Sequence, residues 1–147
     1  MRAHPLAAQN SNEQFSPESE AVIERAKAHA RKYRHSHISP EHLLLSVVEV
    51  GGREALSILQ RGRATPAQIV LLIQHHLREG ENDIPIDQLS FSERGKRVLE
   101  AARQESLRVQ APKIEPKHIL LGLSKVHNTV AAAVLGAVDL KGDEAFS

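Results

Sequence analysis

The sequence predicts an all-α domain built from a tandem duplication, and three observations carry that prediction. The phrase "ISPEHLLL" at residues 38–45 returns as "IEPKHILL" at 114–121. Sliding the chain against itself by 76 positions aligns Phe15 with Phe91, Ser16 with Ser92, Val22 with Val98, Glu24 with Glu100 and Ala26 with Ala102. The same register pairs Ile38, Pro40, His42, Leu44 and Leu45 with Ile114, Pro116, His118, Leu120 and Leu121, then Val50, Ala55 and Leu59 with Val126, Ala131 and Leu135. These are 13 identities over the 45 positions from 15 to 59, where average residue usage predicts about 3. Apolar residues also recur at spacings of three and four, the helical period. Finally, aromatics are only 3% (Phe15, Tyr33, Phe91, Phe146), so the core is one of Leu, Ile, Val and Ala between helices.

Each copy opens with an amphipathic helix. Residues 17–34 set Val22, Ile23, Ala26, Ala30 and Tyr33 on one face, and residues 93–109 set Val98, Leu99, Ala102 and Val109 on the matching one. Helix starts are marked by a hydroxyl residue and a proline at Ser16-Pro17, Ser39-Pro40 and Thr65-Pro66. There the side-chain oxygen caps free backbone N–H groups and proline fits the first turn. Further helices are predicted at 40–50, 53–61 and 66–78 in the first copy and at 116–126 and 128–138 in the second. "LLLSVVEV", "ILLGLSKV" and "IVLLI" are apolar over most of their circumference, which predicts burial on several sides. After Leu140 the chain reads "KGDEAFS", with no counterpart of "AQIVLLIQHHL", so the second repeat is expected to lack its last helix. The linker "EGENDIPIDQL" is polar and contains proline. Within it "DIPI" is too brief to predict a strand, and no strand is expected elsewhere. The expected organisation is a flexible start at 1–14, one pseudo-twofold domain at 15–140 (repeat one 15–80, repeat two 91–140) and a flexible end at 141–147.

Composition removes several function classes. With 19 basic and 18 acidic residues the net charge is +1, and the chain has no broad basic footprint for nucleic acid. The run "RAKAHARKYRHSH" reads as the solvated face of a helix whose other face is core. No segment approaches the roughly 20 apolar residues of a membrane span, so no membrane partner is expected. The absence of cysteine excludes disulfides and thiol chemistry, and a cytoplasmic location follows as the expectation. Nine histidines include "HSH" at 35–37, and His29, His35, His37 and His42 approach one another around the first helix–helix turn. They lack the His-Glu-x-x-His spacing and every cysteine, so no metal site is assigned. No nucleophile, base and orienting group share a recognisable spacing, so no enzyme and no cofactor is expected. A metal-dependent sensor or enzyme on a helical scaffold is the rival class, and stoichiometric zinc in the purified protein would mark it.

A Phe-Ser start before an amphipathic helix, then Ile-x-Pro-x-His-Leu-Leu-Leu, then an Ala-x-x-x-Leu helix, all present twice, resembles the double Clp repeat of the N-terminal domain of Clp unfoldases. The resemblance spans residues 15–140. It implies a non-catalytic protein-binding module that sits on a ring-shaped ATP-driven unfoldase and receives substrates or adaptors. The motor is absent from this sequence: its one Gly-Lys pair, Gly95-Lys96, is followed by Arg97 and lacks the partner glycine of a phosphate-binding loop. Both a domain of a longer chain and a free-standing accessory protein that modulates a Clp protease, docking on the unfoldase or protease ring, fit that pattern.

In family members that read phosphorylated arginine, the helix start beside the Phe-Ser/Thr motif takes the phosphate and the glutamate of Pro-Glu-His takes the guanidinium. Carried over, the resemblance gives Ser16 and Glu41 in the first repeat, and Ser92 with Lys117 in a degenerate second site. An ammonium repels a guanidinium, so the pocket is expected in the first repeat alone. The plainer reading makes Ser16 a cap and Glu41 a favourable helix-start residue. His42 and His118, three residues into equivalent helices, are expected to brace the turn.

Overall fold

The computed structural model describes residues 14–140. Among them are seven α-helices: α1 (Pro17–Lys32), α2 (Pro40–Val50), α3 (Gly52–Leu59) and α4 (Pro66–His76) from the first repeat, then α5 (Glu93–Arg108), α6 (Pro116–Lys125) and α7 (Val130–Ala137) from the second. Both expected flexible ends lie outside the described residues, except Gln14, whose carbonyl accepts the Ile114 N–H at 2.6 Å.

Helix starts follow the caps. Ser16 and Ser92 accept from the N–H groups of Ser19 (3.1 Å) and Gly95 (3.0 Å), one full repeat apart. Thr65 and Gln68 exchange side-chain-to-backbone hydrogen bonds at 2.8 and 3.1 Å, satisfying two otherwise orphaned donors of α4. At α2 and α6 a histidine completes the cap: Nδ1 of His42 accepts the Ser39 N–H at 2.9 Å, and Nδ1 of His118 accepts the Glu115 N–H at 2.8 Å. The bracing role expected of both imidazoles is met in the same geometry twice. Helix ends match too: Arg34 (φ 60°) and Gln110 (φ 58°) both turn left-handed, as do Gly52 (φ 91°) and Asn128 (φ 64°).

The halves are stitched together where no strand was expected. Strands β1 (His37–Ile38) and β2 (Ser90–Phe91) pair in parallel, with Ile38 opposite Phe91. The symmetric counterpart is a single bridge between Phe15 and Ile114. Correspondingly the Ser92 N–H donates to the Ile38 carbonyl at 2.9 Å and the Ser16 N–H to the Ile114 carbonyl at 3.0 Å. Each repeat therefore lays its Phe-Ser start against the Ile-x-Pro-x-His motif of the other. Two residues are too few for an alternating pattern to show, which is why the sequence conceals them.

A single hydrophobic core holds both halves, with Val22, Ala26, Leu44 and Leu59 and their partners Val98, Ala102, Leu120 and Leu135 all fully buried. Truncating any of these leucines to alanine would cost about 2–5 kcal/mol. Most of α2 and α6 is buried all round, as expected from their apolar runs. The "IVLLI" helix departs from that expectation. Ile69 and Ile73 of α4 are buried, yet Leu71 is 65% and Leu72 39% exposed, because α4 is the outer helix on α2 and α7 and covers them with one face. Val109, counted on the apolar face of α5, is 47% exposed because the helix has already ended there.

Candidate functional site

Three helix starts converge at the seam between the repeats. Ser39, Pro40 and Glu41 at the head of α2, Ser92, Glu93, Arg94 and Arg97 at the head of α5, and Asn128, Thr129 and Val130 at the head of α7 line a cavity of about 540 Å³. A helix start presents N–H groups without intrahelical acceptors and the positive end of the helix dipole. Three such ends around one cavity make it a place for negative charge. Arg94 and Arg97 are exposed and have no ion-pair partner among the described residues.

Glu41 is the carboxylate that answers this field. It is half-buried, and Oε2 accepts the N–H of Val130, the first residue of α7, at 3.1 Å. The reach is from repeat one into repeat two. A carboxylate has four acceptor sites, so this bond leaves most of Glu41 open to a cationic group.

The structure regroups the residues singled out in the sequence. Glu41 faces Ser92, not Ser16, because the repeats exchange their starts. Ser16 is 2% exposed, capping α1 through its side chain and bound to Ile114 through its backbone. Lys117 occupies the place of Glu41 in the other half, and its Nζ meets Oε2 of Glu54 at 2.8 Å. Glu54 stands 76 positions before Val130, so the two contacts are pseudo-symmetric with reversed chemistry. A carboxylate on a helix N–H in one half becomes an ammonium on a carboxylate in the other. With side chains 37% and 65% exposed, the Lys117–Glu54 pair adds little stability.

Glu93, Arg94, Arg97, Asn128, Thr129 and Val130 are the cavity residues that sequence reasoning missed. The repeat register does hold a signal for the arginines: Arg94 and Arg97 replace Glu18 and Ala21, an asymmetric gain of two cations at one helix start. It does not show that this helix start crosses to the other repeat.

Behind the cavity lies a histidine relay. Nδ1 of His42 accepts from Ser39, so Nε2 carries the hydrogen and donates to Nδ1 of His35 at 2.8 Å. His35 in turn donates from Nε2 to the Arg78 carbonyl at 2.5 Å. Burial pushes the His42 pKa down to about 3, with His35 and His29 adding repulsion. His118 has no such relay, since Ala111 stands where His35 would be. Its Nε2 is buried without a partner among the described residues, and burial, then Lys117, lowers its pKa.

Known proteins share this architecture. The chain is 27% identical over 122 residues to the ATP-dependent Clp protease ATP-binding subunit ClpC of Staphylococcus aureus, a match covering 83% of this chain and 15% of that one. The chain thus spans about 15% of the length of the curated relatives it matches. The Hsp104 N-terminal domain from Candida albicans superposes with a TM-score of 0.74 at 18% identity, over 91% of this chain and 87% of that one. The N-domain of ClpV from Vibrio cholerae gives 0.73 at 15% identity, over 95% and 87%. The N-terminal domain of ClpD from Arabidopsis thaliana gives 0.69 at 21% identity, over 91% and 90%. No single helix among the described residues is long and apolar enough to cross a membrane. Residues 14–138 match the Clp repeat (R) N-terminal domain, and the chain, with its duplicated helices and exchanged repeat starts, belongs to that family.

Proposed function

We propose that this chain is a non-catalytic protein-binding module of a Clp chaperone–protease system, taking substrates or adaptors at the seam cavity, and that the cavity reads phosphorylated arginine. One observation carries the reading: Glu41 sits among three helix starts and two arginines without an ion-pair partner, while the other carboxylate of the cavity, Glu93, pairs with Lys96 at 3.4 Å. A phosphorylated arginine has the matching pair of charges. Its guanidinium lies on Glu41, and its phosphate takes the free N–H groups at the head of α5 with Arg94 and Arg97. The site needs both repeats, because neither has the carboxylate and the arginines together.

Titrating phosphoarginine into the labelled protein is expected to move the amide signals of Glu41, Ser92, Arg94 and Val130. Glu41→Ala should weaken binding at least tenfold, as loss of a charge-assisted pair of about 1.5–3 kcal/mol implies. Unmoved signals at millimolar ligand, or movement confined to Ser16 and Lys117, would retire the reading.

The other half of the domain tests the same logic. Lys117→Glu alone is not expected to create a second phosphoarginine site. Glu18 and Ala21 stand where the arginines would be, and Glu54 and Glu115 add two more carboxylates against Arg53 alone. Adding Glu18→Arg, Ala21→Arg and Glu54→Val to Lys117→Glu should raise the stoichiometry toward two. A second site from Lys117→Glu by itself, read by calorimetry, would show that the arginines are dispensable.

A further inference from the structure

A second cavity of about 590 Å³ adjoins the first and shares Ser39, Glu41, Ser92 and Val130 with it. Its far wall is His37, His76, Leu77, Arg78, Gly80 and Asn82, so Glu41 is the single carboxylate lining it. The segment that carries Arg78 is fastened to the end of α1 by its backbone. His35 holds the Arg78 carbonyl, the Gly80 N–H donates to the Tyr33 carbonyl at 2.8 Å, and the Asn82 N–H donates to the Arg34 carbonyl at 3.0 Å. A Cβ on Gly80 would collide with the Arg34 carbonyl, so glycine lets the segment lie this close.

The charges of the segment are sorted by the same docking. Glu79 and Asp83 both pair with the Arg34 guanidinium, Asp83 through two hydrogen bonds of 3.1 Å. Arg78 is exposed, and its guanidinium has no ion-pair partner among the described residues. Two of the four acids of the linker, Glu79 and Asp83, are thereby drawn off, and the Arg78 side chain lines the cavity without an ion pair to either. His37, whose Nδ1 meets Ser36 Oγ at 2.9 Å, keeps Nε2 for a ligand. Along the joined groove the order is therefore cation, carboxylate, cation: Arg94 and Arg97, then Glu41, then Arg78.

We propose that the second cavity binds an acidic side chain of the same polypeptide whose phosphorylated arginine occupies the first, so that the module prefers arginines with a glutamate or aspartate nearby in the chain. This rests on the phosphoarginine reading for its first half. An extended peptide advances about 3.3–3.6 Å per residue, so a neighbouring side chain one to three positions away spans adjoining cavities of this size. The complementary ligand is one with a cation at its middle and an anion on each side, which a phosphorylated arginine followed by an acid supplies.

The test is calorimetry on the full chain with blocked nonapeptides carrying a central phosphoarginine and Glu, Ala or Lys at the flanking positions, alongside free phosphoarginine and the unmodified arginine peptides. The Glu-flanked peptide is expected to bind about tenfold tighter than the Ala-flanked one and the Lys-flanked one weaker still. In Arg78→Glu the Glu-over-Lys ratio should fall to one or invert, with the fold checked by circular dichroism. Equal affinities across the flanks in the wild type, or an unchanged ratio in Arg78→Glu, overturn the inference while leaving phosphoarginine binding intact. Failure of free phosphoarginine to bind, with an Arg78-dependent Glu preference kept by the unmodified peptides, overturns the phosphate reading and leaves the acidic cavity standing. Absence of both removes both.

Discussion

Gly122→Ala is expected to destabilise the fold by about 2 kcal/mol or more, although the same change at an exposed helix position would stabilise it by about 1 kcal/mol. Gly122 lies within α6, where a Cβ would sit 2.6 Å from the Val98 carbonyl oxygen and 3.2 Å from the Ala102 nitrogen. Both neighbours are backbone of α5, so no side-chain rotation relieves the clash and the two helices must separate. That opens the packing around Val98, Ala102, Ile119 and Leu123, which are all fully buried. Gly122→Val adds a branched side chain at the same place and should abolish cooperative unfolding. Position 46 supplies the internal control, because Ser46 is the repeat-one residue at that register and its hydroxyl simply donates to the His42 carbonyl at 2.7 Å. Ser46→Ala should therefore cost about 1 kcal/mol, a lost hydrogen bond with no clash. Urea midpoints decide it: a Gly122→Ala protein more stable than wild type would mean that α5 and α6 are not in contact through that glycine.

Much of this was legible in the residues. All seven helices were located to within about two residues, six of them as pairs 76 positions apart, because capping pairs such as Ser16-Pro17 and Thr65-Pro66 mark starts and apolar spacing marks faces. The bracing histidines were legible for the same reason, as two identical residues at one register position ask for one structural role. What stayed hidden was the exchange between repeats. Hydrogen bonds from Ser92 to Ile38 and from Ser16 to Ile114 link residues 54 and 98 positions apart, and no local pattern encodes which copy supplies the partner. Glu41 was therefore grouped with Ser16 of its own repeat, while the fold sets it beside Ser92 and the arginines of α5. Lys117 looked like a lost ligand, and the structure gives it Glu54 as a partner instead. Leu71 misled in another way: a five-residue apolar run predicts all-round burial, yet one packed face leaves its far side in water.

Mild acid should loosen this fold before its carboxylates titrate, and His42 is the reason. The imidazole is fully buried, its Nδ1 is committed as acceptor to the Ser39 N–H, and its Nε2–H is committed as donor to His35. A second proton on Nδ1 would face the Ser39 donor, so the cap of α2 breaks when the ring becomes cationic. The titratable groups that act on it, His35 beside it and His29 on α1, disfavour that charge further. Its pKa is about 3 in the folded protein, against about 6.5 in an unfolded chain. Between those values the unfolded state holds more protons, so stability falls as pH drops through the window and is fully present above it. By pH 5 the loss from this ring is about 2 kcal/mol, and His118, whose pKa is lowered too, adds to it. His42→Gln separates this linkage from general acid sensitivity, since a glutamine at the same helix position accepts the cap N–H just as Gln68 accepts that of Thr65 at 2.8 Å. Urea midpoints at pH 7.5 and 5.0 should differ markedly in the wild type and much less in His42→Gln. Equal pH differences in the two proteins would show that the relay ring carries no proton-linked stability, and would point instead to His118.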